Sequence, residues 1–497
     1  MHFTPGRAFR VVCFVIVTLI LLSVACHMVR LRTGHDHILG LLPLLDLNTE
    51  NNLPSWFAAS LLLVDAMLLL LIGMHHRASG DRFARHWMVL GFFFVLMSVD
   101  ESIGLHETFT RPLRQLIELP ALFYYAWIVP ALGLVAGFGA AYLGFLRALP
   151  PATRRWFVAS GVMYVGGAVV MEAIAGRHDR LYGHAGGDYV LLATLEEAAE
   201  LLGCGLFLFA LLDFIVDHRP VLSAAVGLRS RPSVALRSSR AQVTRPALPA
   251  GEVEPTFAGA ATPKGWPGSV RLGLGLLSMY TVGLLLLEWE TSQQDVRLLF
   301  TDIGGDTPLY GLNTTVCVGL LWGAGLLFGV MGLTSPRAAG LQRAFGFSQA
   351  MVFIYLAMDE RFQLHERIGR RLGVEDAFVL GAIGLLEIAL LWRPGEILSR
   401  GRRQVCLMAA AGAAFGAMVF VDAALPSSMT LRLSAEDLLK TWACALIFLF
   451  AWENCRTGIL ALSSQSPAVA ERPGGTSARW RVSSSGGRLS RRPGALG

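Results

Sequence analysis

The pattern Asp-Glu-x-x-x-x-His-Glu occurs twice in this chain. It is Asp100, Glu101, His106 and Glu107 in SVDESIGLHE, and Asp359, Glu360, His365 and Glu366 in AMDERFQLHE. Each copy closes a long apolar run. Carboxylates and imidazoles hold protons or cations and are costly at membrane depth, so such a group marks a site of proton, ion or metal chemistry. The motif does not close a metal site by itself. Asp100 and Glu107 share a helix face but lie about 10 Å apart along the axis, and the neighbours Asp100 and Glu101 diverge by about 100°. Partners must come from other segments.

Those partners recur in order. Glu172 lies near the end of the fifth apolar run and Asp422 in the matching run of the second half. Glu196, Glu197 and Glu200 open the sixth run, against Glu436, Asp437 and Lys440. Before the second run stand Asp46 and Glu50, then Pro54 and Trp56. Their counterparts are Asp302 and Asp306, then Pro308 and Tyr310. Four landmarks in one order predict a duplicated six-helix unit. An even number of helices per unit makes the copies parallel. The expected cavity, a cation or proton site, takes Asp100, Glu101, Glu172, Glu196, Glu197 and Glu200 from the first half. From the second it takes Asp359, Glu360, Asp422, Glu436 and Asp437.

Oxygen ligands with a single His suit Mg, Ca, Mn or Fe better than zinc. A divalent metal is therefore one candidate ligand, held in one layer by Glu101, Glu172 and Glu196, or by Glu360, Asp422 and Glu436. The Glu-x-x-His pair of carboxylate-bridged iron bundles is missing at these positions. His106, Glu107, His365 and Glu366 are expected a turn or more farther out, where they also read as interfacial caps. Two lone acids sit nearer the bilayer centre: Asp65 in SLLLVDAMLLLL and Glu387 in GLLEIALL. Each reads either as a proton-coupling group or as a neutral acid hydrogen-bonded to a neighbouring helix.

The elements that position these groups follow from composition. Of the 497 residues, 54% are hydrophobic and 16% charged, which excludes a soluble fold of this size. Apolar runs of roughly 18 or more residues read as transmembrane helices. About twelve are expected: 9–31, 54–75, 86–106, 121–147, 154–175, 189–216, 270–290, 308–332, 342–365, 376–394, 404–425 and 433–455. The runs lack the period-two alternation of a barrel. The fold class is thus all-α, a polytopic membrane protein of two parallel six-helix repeats, 1–216 and 269–456. Residues 217–268, rich in Ser, Arg, Pro and Ala, read as a disordered linker, and 457–497 as a disordered basic tail. Gly-x-x-x-Gly spacings, at Gly133 and Gly137, Gly319 and Gly323, Gly325 and Gly329, and Gly412 and Gly416, read as close-packing signatures.

Arginines at 77, 82 and 85, at 147, 154 and 155, and at 393, 400, 402 and 403 fall in loops on one side. The positive-inside rule then puts both termini in the cytoplasm of a cell (inner) membrane protein, with the acidic landmarks on the outer side. The net charge of +6 sits in loops and tails, so no nucleic-acid partner is expected. Ser23–Cys26 faintly resembles a lipoprotein cleavage box, but Ser23 stands where Leu is preferred, and the first helix reads as a retained span. Seven cysteines without a C-x-x-C pair predict neither a structural disulfide nor a thiolate metal site.

The expected partners are the lipid bilayer and a small ion, solute or lipid substrate. The leading functional reading is an ion- or proton-coupled secondary transporter. In helix count the chain is similar to the major facilitator group. That group's loop motif Gly-x-x-x-Asp-Arg-x-Gly-Arg is broken here, where Arg77 and Ala84 replace glycines around Asp81 and Arg82, so membership is not inferred. A second reading is an intramembrane metalloenzyme acting on a lipid or lipid-linked substrate. A third is a membrane scaffold or assembly factor.

Overall fold

The computed structural model describes residues 4–34, 41–49, 52–78, 80–184, 186–218, 266, 268–292, 296, 311–334, 340–374, 376–392, 395, 401–426 and 429–465. Residues 219–265 and 466–497, almost all of the expected linker and tail, lie outside this set, as do Glu50, Asp302 and Asp306.

Helices are the only regular structure among the described residues. They are α1 Pro5–Thr33, α2 Leu41–Leu45, α3 Leu53–Ala78, α4 Ala84–Ile103, α5 Glu107–Leu116, α6 Ile128–Ala148, α7 Pro151–Val165, α8 Glu172–Tyr182, α9 Gly187–His218, α10 Gly268–Glu290, α11 Leu312–Thr334, α12 Gly340–Phe362, α13 Leu364–Leu372, α14 Asp376–Trp392, α15 Arg402–Ala424 and α16 Arg432–Gln465. A π-helical turn, Gly166–Met171, joins α7 to α8 in one continuous rod. Thr4 starts α1 by accepting the Arg7 N–H at 3.3 Å, with Pro5 in the first turn, where a missing N–H costs nothing.

Nine helices among the described residues are long and apolar enough to cross a membrane. Helices also occupy the other three predicted spans. Of these, α14 is shorter, α12 is diluted by Gln342, Arg343 and Gln349, and α16 opens with four charged residues in its first nine. The third and ninth spans stop earlier than expected, at Ile103 and Phe362. The fourth starts later, at Ile128, and α16 runs on to Gln465.

α3 pairs with α4, α7 with α9, α11 with α12 and α16, and α15 with α16. Burial is greatest in α3, α9 and α11, whereas α1, α6, α10 and α15 expose most of their apolar surface, as lipid-facing helices do. One core gathers around Trp87, Phe145, Phe207 and Phe214, the other around Phe328, Phe345, Phe353 and Phe450. Trp56, at the start of α3, joins them: its ring lies 5.3 Å from Trp322 and 6.1 Å from Phe362. The Ser98 hydroxyl donates to the Ala59 carbonyl (2.7 Å), setting the end of α4 beside the start of α3. The two motif copies thereby lie at the same end of the molecule. Gly323 and Gly325 do make close approaches, to Phe448 and Ile354. Gly133, Gly137, Gly319, Gly412 and Gly416 face open space, because α6 and α15 are peripheral and this face of α11 carries no neighbour.

Candidate functional site: acidic clusters at the motif end

The repeated motif does not continue one helix, contrary to the expectation from its apolar run. α4 stops at Ile103. Gly104 takes a left-handed conformation (φ 58°), and its N–H donates to the Asp100 carbonyl at 2.8 Å. The chain then folds back. The His106 N–H donates to Asp100 Oδ1 (2.8 Å) and His106 Nδ1 to Oδ2 (3.0 Å). The second copy repeats this at the same offsets. Gln363 is left-handed (φ 50°), the His365 N–H donates to Asp359 Oδ1 (2.6 Å) and His365 Nδ1 to Oδ2 (2.8 Å). Each aspartate thus braces a helix break, and each histidine packs back rather than lying a turn farther out. Glu107 is exposed in the first turn of α5. Glu366 is in the first turn of α13, paired with Arg370 at 3.7 Å. Both favour their helix dipoles.

In the first half the remaining acids come together. Glu200 is in electrostatic contact with Glu101, Glu172, Glu196 and Glu197. Trp127 Nε1–H donates to Glu172 Oε1 at 2.9 Å, and the His106 ring packs 4.6 Å from Trp127. The helices meet through Gly167 in the π turn: a Cβ there would lie 2.8 Å from both the Glu196 carbonyl oxygen and Glu200 Cγ. π turns in α-helices are rare and concentrate at functional sites.

The second half holds its acids in ion pairs. Lys440 Nζ lies 3.0 Å from Glu360 Oε1 and 3.1 Å from Asp437 Oδ1. Arg432 reaches Asp422 at 2.8 Å and Glu436 at 3.3 Å. Asp422, expected in a cavity, is exposed at the end of α15 and serves this surface bridge. Asn313 donates to the Asp437 carbonyl, and Thr441 to Asn313 Oδ1 at 2.6 Å. Glu288, which the sequence reading passed over, is buried and accepts the Leu431 N–H at 3.0 Å and the Ser434 hydroxyl. Its place at the end of an apolar run, LLLLEWE, is the signal that marks it.

Asp65 is wholly buried and neither of its oxygens has a hydrogen-bond partner. Glu387 accepts from Gln349 Nε2 at 2.9 Å. Asp46, in the segment between α1 and α3, is also buried. Burial opposes its ionisation, but bonds from His27 and the Asn48 N–H, with the charges of His27 and Arg30, hold the carboxyl below its ordinary range. His27 Nε2 lies 2.9 Å from Asp46 Oδ1. Among the described residues no three His, Cys, Asp or Glu side chains converge in a geometry that would hold a metal ion. Beside Tyr164, a cavity of about 660 Å³ opens between α4, α6, α7 and α9, lined by apolar residues such as Phe94, Phe138 and Val165.

Long apolar helices around buried acidic and basic side chains define a multi-pass helical membrane protein. The family model described as "Domain of unknown function (DUF8692)" matches residues 11–214 and 273–453, and the chain belongs to that family. No curated protein and no solved structure matches the chain.

Proposed function

We propose that the protein is an ion- or proton-coupled secondary transporter of the cell membrane. It has twelve spans in two parallel six-helix halves, 1–216 and 269–456, joined by a cytoplasmic linker, 217–268. The tail, 457–497, is cytoplasmic too, and an acidic cavity opens on the outer side of each half. The observation that carries this reading is the gathering of Glu101, Glu172, Glu196, Glu197 and Glu200 at the end of α4, with Asp65 deeper in the same half. Carboxylates at graded depth are the ordinary means by which transporters take and pass protons and cations. The matched Asp–His braces support the duplication, and parallel repeats are common in transporter folds.

The test is flux into proteoliposomes carrying an internal pH dye, driven by imposed Na⁺ or K⁺ gradients. Cation-dependent proton movement in the wild type, abolished by Glu101→Gln, is the expected result. Glu101→Gln with undiminished flux would remove the reading. A second reading, an enzyme acting on a lipid or lipid-linked substrate, draws on the apolar cavity of about 660 Å³, which is large enough for an acyl or isoprenoid chain. Co-purification of one stoichiometric lipid, with no ion flux, would favour it.

A further inference from the structure

The cavity between α4, α6, α7 and α9 is a slot rather than a sphere. Its lining runs from Leu134 to Leu146 on α6, about 18 Å at 1.5 Å per residue. Residues from Phe157 to Val170 line it along the rod formed by α7 and the π turn. Leu134, Val158, Val162 and Val170 line the slot and are also exposed, so it opens sideways at the lipid-facing surface. Three glycines keep it open: a Cβ on Gly139, Gly161 or Gly166 would meet nothing within 4 Å. Apolar cavities stay dry and take up apolar ligands. All four walls belong to helices long and apolar enough to cross a membrane, so the natural filling is a hydrocarbon chain.

A second observation concerns the head of that chain. The lining carries three hydroxyls. Tyr142 donates to the His86 carbonyl at 2.9 Å, and Ser160 to the Phe157 carbonyl at 3.0 Å. The Tyr164 hydroxyl has no hydrogen-bond partner among the described residues. Tyr164 lies about 20 Å along the helix from Pro151, well inside a hydrocarbon layer about 30 Å thick. No Lys or Arg is among the described lining residues. An ionic head would be buried there without counter-charge, at high cost, whereas a neutral oxygen head needs only one donor.

We propose that this slot binds a neutral single-chain lipid whose oxygen head, a hydroxyl or a carbonyl, accepts the Tyr164 O–H. A mostly apolar pocket of this size with one free polar group is the usual form of a small-molecule site: the walls supply affinity and the polar group orientation. The lipid enters from the bilayer between α6 and α7, and its tail lies in the slot. A fatty alcohol, a prenyl alcohol and a long-tailed quinone share this chemistry. The assignment rests on the cavity of the second reading and gives it a ligand class, yet binding stands or falls separately from turnover.

Full-length protein in phosphatidylcholine vesicles, photolabelled with hexadecanol carrying a diazirine, provides the test. Saturable labelling confined to peptides of α4, α6, α7 and α9 is expected. Unlabelled hexadecanol, geranylgeraniol or a decyl benzoquinone is expected to compete, and headless hexadecane far less. The strongest competitor tells an acyl source from an isoprenoid one. Gly139→Phe fills the slot and is expected to abolish saturable labelling. Should it fail to fold, Gly161→Leu replaces it. Tyr164→Phe removes one neutral hydrogen bond and is expected to weaken the apparent affinity for the alcohol about three- to tenfold. Unsaturable labelling spread over α1, α10 and α15 as well would mean bulk lipid contact only and overturns the assignment. Undiminished labelling in the filled variant, equal competition by hexadecane, or an unchanged affinity in Tyr164→Phe overturns it too. Saturable binding with no chemical change in any bound lipid would instead sink the enzyme reading and leave this one standing.

Discussion

The carboxylate of Asp359 takes both the backbone N–H and the ring Nδ1–H of His365, and Asp100 holds His106 in the same two-point grip. The second pair is shorter at both bonds, and its aspartate side chain is 5% exposed against 35% for Asp100. The same bond is therefore made in two different environments.

Hydrogen bonds to a charged group contribute about 1.5–3 kcal/mol each, and solvent weakens them. Asp359→Ala is expected to cost about 2–4 kcal/mol on that scale, and Asp100→Ala distinctly less. Thermal unfolding of both variants in one detergent checks the order. Equal losses would mean that burial of the brace does not set its strength.

Gly167→Ala adds a methyl group 2.8 Å from the Glu196 carbonyl and from Glu200 Cγ. Overpacking of this kind costs about 1–3 kcal/mol. Gly161→Ala, on the same rod with nothing within 4 Å, is the control. Loss of flux in the first variant and not in the second is expected in the proteoliposome assay. Wild-type flux in Gly167→Ala would dissociate the close approach of the two helices from transport.

Much of this was legible in the chain because membrane helices announce themselves by long apolar runs, and because a duplicated motif fixes its own register. The ends of those runs were not legible. Nothing in SVDESIGLHE distinguishes a helix that continues from one that stops at Gly104, since an aspartate braces a break only once a histidine has folded back. Gln363 shows the limit well, because Gln is an unusual choice for a left-handed position. The acids of α9 were identified by type, but their meeting with Glu172 depends on the π turn, which hydropathy does not register. The bridge from Arg432 to Asp422 spans two segments whose pairing no local pattern encodes.

Asp46 sets an acid limit on stability. Burial resists its charge, but His27, the Asn48 N–H and Arg30 more than offset this and depress the folded pKa. The stabilisation is fully present above the unfolded carboxyl value of about 3.9 and is lost as pH falls through the lower, folded one. Tm measured at steps from pH 6 down to about 3 is expected to fall more steeply in the wild type than in Asp46→Asn over the acid end. Asp46→Asn starts lower and runs flatter there. Parallel curves would exclude Asp46 as a source of the acid limb.

Asp65 and Glu387 are both buried acids, yet Gln349 hydrogen-bonds only Glu387. Glu387→Gln keeps shape and an acceptor, and is expected to leave flux within about twofold and Tm within a few degrees. Asp65→Asn is expected to keep the fold and uncouple proton movement from cation gradients. Normal coupling in Asp65→Asn would make that carboxyl structural.

The π turn at Gly166–Met171 has one more consequence, which concerns phase. Each residue of an α-helix turns the chain by about 100°, so a locally wider turn resets the azimuth of everything beyond it. Glu172 is the first residue past that turn and is directed at Trp127, while α15, which is α-helical throughout, leaves Asp422 facing outward toward Arg432. Deleting Val170 would restore an unbroken α-helix and swing Glu172 off the cluster with every side chain chemically unchanged. One inserted residue would thus be enough to make two sister rods aim their acids at different targets.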